Sequence, residues 1–221
     1  MPRQMLPAPP RTLDELLERA RALAGASVDS LAWALREEGV GAGTHSKGKV
    51  GELIERVLGA RGGSAATWDY PELEVELKTV PVNERGRPLE STFVCTVSLL
   101  EADRAEWETS WVRAKLARVL WVPIVRTGDR RHVGAARLWS PSAEEDRVLK
   151  DDFDEIMGAI GIGAVEGVSA RVGRWLQLRP KAAHGAVRTP APGRDGDDVR
   201  TVPRGFYLRA VFTATLLRGS G

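Results

Sequence analysis

The hydrophobic pattern of this 221-residue chain changes period between Leu58 and Leu73, and no other feature constrains the fold as strongly. Before the change, apolar residues recur at helical spacing: Leu13, Leu16, Leu17, Ala20 and Leu23, then Val50, Leu53, Ile54, Val57 and Leu58. After it they alternate. Leu73, Val75 and Leu77 point one way and Glu74, Glu76 and Lys78 the other, the signature of a half-buried strand. Neither a pure helix bundle nor an all-β barrel accommodates both patterns, so the chain is expected to be mixed α/β.

In the helical part, Thr12 and Glu15 have the spacing of a capping box, and Gly25 stops the first helix. A second helix is predicted from Val28 to Glu38, ended by Gly39, and a third from Val50 to Leu58. Between them lies GVGAGTHSKGK, which matches neither a P-loop nor a dinucleotide fingerprint, because no strand precedes it and the spacing differs. It can bring Lys47 and Lys49 to a phosphate or serve as a plain connector. Glu55 lies about 60° from Leu58 on an ideal helical wheel, at the edge of the apolar face. Such a carboxylate is either half-solvated or aimed into a cleft.

In the strand part, NERGRP reads as a turn with Gly86 at its tip, followed by a strand from Thr92 to Leu99 with Phe93, Cys95, Val97 and Leu99 on one side. A short helix from Ser110 to Leu116 leads into the strand RVLWVPIV. Ser140 and Pro141 then open a long acidic helix running to Met157, which suits either a partner surface or a solvated face. Gly173 to Leu178 reads as a strand, His184 to Pro203 as a loop, and Phe206 to Leu217 as a closing helix.

Composition narrows the setting. The single cysteine, Cys95, excludes a disulfide framework and a cysteine-built zinc site, suits a reducing compartment, and is expected to be a packed core thiol. The longest strongly apolar stretch, Val119 to Val125, is too short to span a bilayer. MPRQMLPAPP has no signal core, so a soluble cytoplasmic protein is expected. Residues 1–11 read as a lead-in and 218–221 as a tail. From Val168 onward ten Lys and Arg face three Asp, although the whole chain carries only +2. A basic C-terminal quarter is the footprint of a surface that meets a polyanion, or of a solvated arginine-rich face.

The most chemical pattern is Asp69-x₆-Glu76-x-Lys78. Two carboxylates converging from a loop and a strand supply the hard oxygen ligands that Mg²⁺ prefers. A metal so held polarises a phosphodiester and acidifies a water, and a lysine two residues on can stabilise the developing charge. By itself the pattern also fits an ordinary strand with a solvated Glu/Lys face. His45, His132 and His184 share no metal spacing.

The strings around the pattern are more distinctive. WDYPELEVELKTVPVNERGRPLESTFVC, with KGKVGELIERVLGA before it and WETSWVRAKLARVLWVP after it, strongly resembles the MutH DNA mismatch-repair endonuclease family. LWSPSAEEDR, LQLRPKAA and VPRGFYL continue the resemblance in order, from about Thr12 to Leu217. The resemblance implies a restriction-endonuclease-like α/β core with a PD-(D/E)-x-K site and mixed sheet, a single domain over 12–217 whose two lobes flank a DNA cleft, the C-terminal lobe being the basic one. It implies that Asp69 and Glu76 bind Mg²⁺, that Lys78 is the catalytic lysine, that Glu55 helps hold metal-bound water, and that Lys115 supports activity near the scissile phosphate. It further implies DNA contacts by Lys47 and Phe93, base reading by Arg179 with Lys181 beside it, and methyl sensing by Tyr207 at the start of the closing helix, after a hinge at Gly205.

The implied activity is nicking of the unmethylated strand of hemimethylated GATC, 5′ of the guanine, by a monomer that MutL activates after MutS finds a mismatch. A GATC-cutting restriction enzyme would need a second active site for the second strand. A catalytically silent DNA-binding module would not need the intact Asp69, Glu76 and Lys78. TGDRRHVGAARLW and the C-terminus LLRGSG are shorter than the family pattern, which bears on the strength of MutL dependence rather than on the nuclease chemistry.

Overall fold

A computed structural model describes residues 6–35, 46–60, 67–182 and 186–219. The elements run α1 (Leu13–Ala22), α2 (Val28–Leu35), α3 (Ser46–Leu58), β1 (Glu76–Val82), β2 (Thr92–Thr96), α4 (Trp111–Leu116), β3 (Val119–Thr127), β4 (Arg130–Val133) and β5 (Arg137–Trp139). They continue with α5 (Ala143–Gly161), β6 (Leu176–Pro180), β7 (Thr189–Pro192), β8 (Asp198–Thr201), β9 (Arg204–Leu208) and α6 (Ala210–Arg218). The chain is mixed α/β and forms two compact units: Met1–Glu90 with Arg118–Ser140 and Ala214–Gly221, and Ser91–Ala117 with Pro141–Thr213.

The first unit is built on a mixed sheet. β3 pairs in parallel with β1, Glu76 opposite Val119 through Val82 opposite Val125, and antiparallel with β4 and β5. Leu77, Leu120, Val122 and Ile124 share one core with Leu16 of α1, Val28 of α2 and Leu53, Ile54 and Leu58 of α3. Because side chains alternate along β1, Glu76 and Lys78 lie on the sheet face opposite Leu77. Burying these apolar side chains is the main favourable term, about 1.5–3 kcal/mol for each large one.

The second unit centres on an antiparallel sheet in the order β2, β9, β6. Trp107, Phe153 and Phe206 pack in succession, with ring centroids 5.5 Å apart at each step. Asp152, 5% exposed on α5, accepts the backbone N–H groups of Arg174, Trp175 and Leu176 at 2.6–2.7 Å. That carboxylate fixes the entry into β6. The turn is tight enough that only glycine serves at Gly173, where φ is +79° and a Cβ would lie 2.1 Å from the Leu176 carbonyl.

Several boundaries differ from the sequence expectations. α2 is described from Val28 to Leu35; residues 36–45, which hold the expected helix end at Glu38, Gly39 and most of the glycine-rich loop, lie outside the described residues. α3 is described from Ser46, so Lys47 lies in this helix and not in a loop, while its side chain lies outside the described residues. No apolar residue precedes Val50 there, so periodicity could not report that stretch. Pro71–Leu73 form a 3₁₀ turn and Glu74 adopts φ +51°, which delays the strand expected from Leu73 until Glu76. β2 stops at Thr96, and an irregularity between Phe93 and Cys95 breaks its alternation, so Val94 and Cys95 are both buried. Cys95 is a buried thiol outside any disulfide, as expected.

The acidic helix starts at Ala143 with Ser142 as its cap, where Glu145 completes a capping box; Ser140 is not the cap. The strand predicted at Gly173 begins at Leu176. The segment read as a loop from His184 holds the β7–β8 hairpin, whose prolines are tolerated because a two-stranded ribbon leaves half its amides outward. Phe206 to Leu217 is not one helix. β9 pairs on both sides before α6 begins at Ala210, so Tyr207 sits in a central strand.

Asp152→Ala would leave three amide groups without their acceptor. Each buried unsatisfied group costs about 1–3 kcal/mol, so the variant is expected to lose about 3 kcal/mol or more of stability in urea unfolding. A change below about 1 kcal/mol would show that solvent satisfies those amides instead.

Candidate functional site

The spacing from Asp69 to Glu76 is realised as a closed loop. Tyr70 and Val75 exchange both backbone hydrogen bonds, at 3.0 and 3.2 Å. The Asp69 carboxylate then accepts the Leu77 N–H at 2.7 Å, tying the loop to the start of β1. Glu76 is held by its own N–H on the Arg118 carbonyl at 3.0 Å and is only 3% exposed. Lys78 donates to the Glu76 carboxylate at 2.7 Å. These are not the side chains of a solvated strand face.

α3 supplies Glu55. A Cβ at Gly51 would meet the Thr79 hydroxyl at 3.4 Å and the Glu55 carboxylate at 4.0 Å, so the bare glycine lets the helix close on β1. Burial, reinforced by the charges of Asp69 and Glu76 and opposed by Lys78, pushes the Glu55 carboxyl from 4.5 up to about 7. Tyr70, buried with no hydrogen-bond partner for its hydroxyl among the described residues, is raised by burial and by Asp69 and Glu55. Glu55, Asp69, Glu76 and Lys78 therefore form one electrostatically coupled group in the first unit.

Among the described residues no three His, Cys, Asp or Glu side chains close into a metal cage. The donor set still fits Mg²⁺, which keeps several waters and takes one or two carboxylates rather than a full protein shell. Burial and the repulsion from Asp69 and Glu76 that raise the Glu55 carboxyl would both be offset by a divalent cation.

In the second unit four expected nucleic-acid contacts come together, three on one sheet and Lys181 one residue past the end of β6. Phe93 lies opposite Tyr207, and Tyr207 opposite Gln177, in a row across β2, β9 and β6. The Phe93 and Tyr207 rings meet edge to face at 5.2 Å. The Lys181 ammonium sits 4.5 Å from the Phe93 centroid, and the Arg179 guanidinium 5.6 Å from that of Tyr207. Gly205 is not a hinge: a Cβ there would come within 2.8 Å of the Phe93 ring, so glycine makes room for that ring within β9. Lys115 is also in this unit, 5% exposed, with its ammonium 5.2 Å from the Trp111 centroid one helical turn away.

Sequence reasoning missed Ser91 and Gln177. The Ser91 hydroxyl accepts from the Gln177 amide at 2.7 Å and from Arg179 at 3.3 Å, bracing the guanidinium from below. Gln177 stands two residues before Arg179 on a strand, so alternation alone would have put both on one face.

Glu55 holds its proton more tightly in the folded chain than at its ordinary 4.5, so between pH 4.5 and about 7 the folded state binds more protons than the unfolded one. The stability of the metal-free protein therefore falls as pH rises through that window. Glu55→Gln is expected to flatten the fall in urea unfolding measured with chelator present. An unchanged pH slope would assign the titration to another group.

Comparison with known proteins gives a consistent picture. A family model for the DNA mismatch repair enzyme MutH matches residues 58–152, which include Asp69, Glu76, Lys78, Phe93 and Lys115. The DNA mismatch repair protein MutH of Serratia proteamaculans is 46% identical over 218 residues, covering 96% of this chain and 95% of its own. That of Shewanella amazonensis is 45% identical, covering 96% of each chain. That of Escherichia coli strain K12 / DH10B is 47% identical, covering 98% of this chain and 96% of its own.

Proposed function

This chain belongs to the MutH family of DNA mismatch repair enzymes, and on that premise we propose that it is a Mg²⁺-dependent endonuclease with a PD-(D/E)-x-K core. It nicks the unmethylated strand of hemimethylated GATC, 5′ of the guanine. It works on double-stranded DNA as a cytoplasmic monomer, stimulated by MutL after MutS has found a mismatch. The observation that carries this reading is the buried Glu76 bonded to Lys78, beside an Asp69 tied to the same strand and a Glu55 raised to about 7. No helix among the described residues is long and apolar enough to cross a membrane.

Asp69 and Glu76 are the residues that would hold Mg²⁺. The metal, when bound, polarises the phosphodiester and makes water a better nucleophile. Glu55 accepts a hydrogen bond from the attacking water and orients it. The Lys78 ammonium stabilises negative charge developing at the phosphate, as does Lys115, and neither lysine binds metal. Arg179, held against Tyr207 and Ser91, presents a fixed fork to a guanine edge. The Tyr207 ring, fixed by Phe93, rejects an N6-methyl group on the strand to be cut.

The test is a Mg²⁺-dependent nicking assay on plasmids with unmethylated, hemimethylated or fully methylated GATC, with and without MutL. Nicks confined to unmethylated strands and increased by MutL are expected. Double-strand cuts would identify a restriction enzyme, and no cutting with intact binding would identify a silent module.

Glu76→Ala is expected to lower nicking by more than about a hundredfold, since even residues behind metal ligands cost 10- to 100-fold. DNA binding should hold or tighten, because a charge that repels phosphate is gone. Near-wild-type nicking at saturating Mg²⁺ would show that the metal is held elsewhere.

Arg179→Ala is expected to cost about 1–3 kcal/mol of binding at GATC and to narrow the gap to a one-base variant site. Equal losses on both sites would make it a backbone contact. Tyr207→Ala should shrink the preference for unmethylated over fully methylated DNA in single-turnover assays, whereas equal slowing on all substrates would place methyl sensing elsewhere.

A further inference from the structure

Beside the aromatic row of the second unit lies an open cavity of about 540 Å³, lined by Ser91, Gln177, the first turn of α6 and three arginines, Arg171, Arg174 and Arg209. No carboxylate lines it, and among the described residues none of the three guanidinium groups is ion-paired. Elsewhere Arg19, Arg113, Arg131 and Arg204 each meet a carboxylate. Three cations without an ion-pair partner around one cavity repel one another, and an anion relieves that repulsion.

Arg209 is held in place by the backbone. Its Nε and Nη2 donate to the Gly173 carbonyl at 3.1 and 2.9 Å, and Nη2 also reaches the Val172 carbonyl at 3.1 Å. Nη1 has no bond to any described residue. Arg174 lies over the Trp175 ring at 5.2 Å, and that ring stacks on Phe212 at 4.2 Å. Two of the three cations are thus positioned before any ligand arrives, which lowers the ordering cost of binding.

We propose that this cavity binds a DNA backbone phosphate flanking the bases read by Arg179, adding an anchor outside the Phe93–Tyr207 row. The inference rests on the DNA-binding reading above. Guanidinium forks match phosphate oxygens, and the cavity shares Ser91 and Gln177 with the brace on Arg179, so it meets the duplex that Arg179 reads. A contact of this kind gives affinity and register but no sequence information.

The test uses the full chain with Arg171→Gln, Arg174→Gln and both together. Arg209 is left intact because its bonds hold the chain at Gly173. Binding to a GATC duplex and to a one-base variant duplex is followed by fluorescence anisotropy without divalent metal, between about 50 and 200 mM salt. The variants are expected to weaken both duplexes by the same factor, and a contacting arginine to lower the slope of log affinity against log salt by about 0.9. Arg174→Lys should restore most of the slope. Arg147→Gln, which removes a charge outside the cavity lining, controls for net charge and should leave the slope unchanged. An unchanged slope in the double variant, or one no different from that of Arg147→Gln, overturns the proposal. So does intact DNA binding with lost MutL stimulation, which would give the arginines to a protein partner. Failure of the wild-type chain to bind DNA would instead sink the functional reading.

Discussion

The parallel pairing of β1 with β3 is the constraint on which the site depends. A parallel ladder cannot close through a hairpin, so the two strands come from segments about forty residues apart in sequence and are buried by helices. Leu77, opposite Leu120, goes into the core with α1, α2 and α3, and that choice sends Glu76 and Lys78 to the other face. Slipping the register by one residue would bury the charges in the apolar core and expose the leucine. The hydrophobic effect thereby positions two charged groups it does not itself stabilise.

The carboxylates have opposite local fates for the same reason. Asp69 accepts the Leu77 amide and Glu76 the Lys78 ammonium, whereas Glu55, on a helix, faces the charges of both carboxylates. Its proton affinity rises because desolvation and two neighbouring charges act together, and one lysine does not offset them. Crowded carboxylates of this kind are costly to the isolated fold, and strongly shifted proton affinities of this kind cluster at functional sites.

The second unit is held differently. Phe93, Tyr207 and Arg179 sit on three short antiparallel strands, and a single buried carboxylate, Asp152, sets where β6 begins. Gly205 leaves the space that the Phe93 ring fills, and the ring in turn supports Tyr207 and meets Lys181. Ser91 ties Gln177 and Arg179 to the head of β2. Each of these side chains has a neighbour that restricts its rotamers, the kind of preorganisation that a discriminating binding surface requires.

What was legible in advance follows from the range of the forces involved. Periodicity is local, so the amphipathic helices α1 and α3, the apolar run of β3 and the alternation around Leu77 could be read directly, as could Asp69, Glu76 and Lys78 as a set. The β7–β8 hairpin and β9 could not, because Pro- and Gly-rich or short segments become strands only when partners supply their hydrogen bonds. Local spacing accordingly puts Tyr207 on a helix, whereas it lies in the middle strand of a sheet. The sequence by itself determined which residues could do chemistry and, through the one change of period, that the chain is mixed α/β. The tertiary structure alone decided that Glu55 holds its proton near neutral pH and that Ser91 and Gln177 brace Arg179. The first depends on burial and neighbouring charges and the second on hydrogen bonds, all between segments distant in sequence, and none of these is written in local spacing.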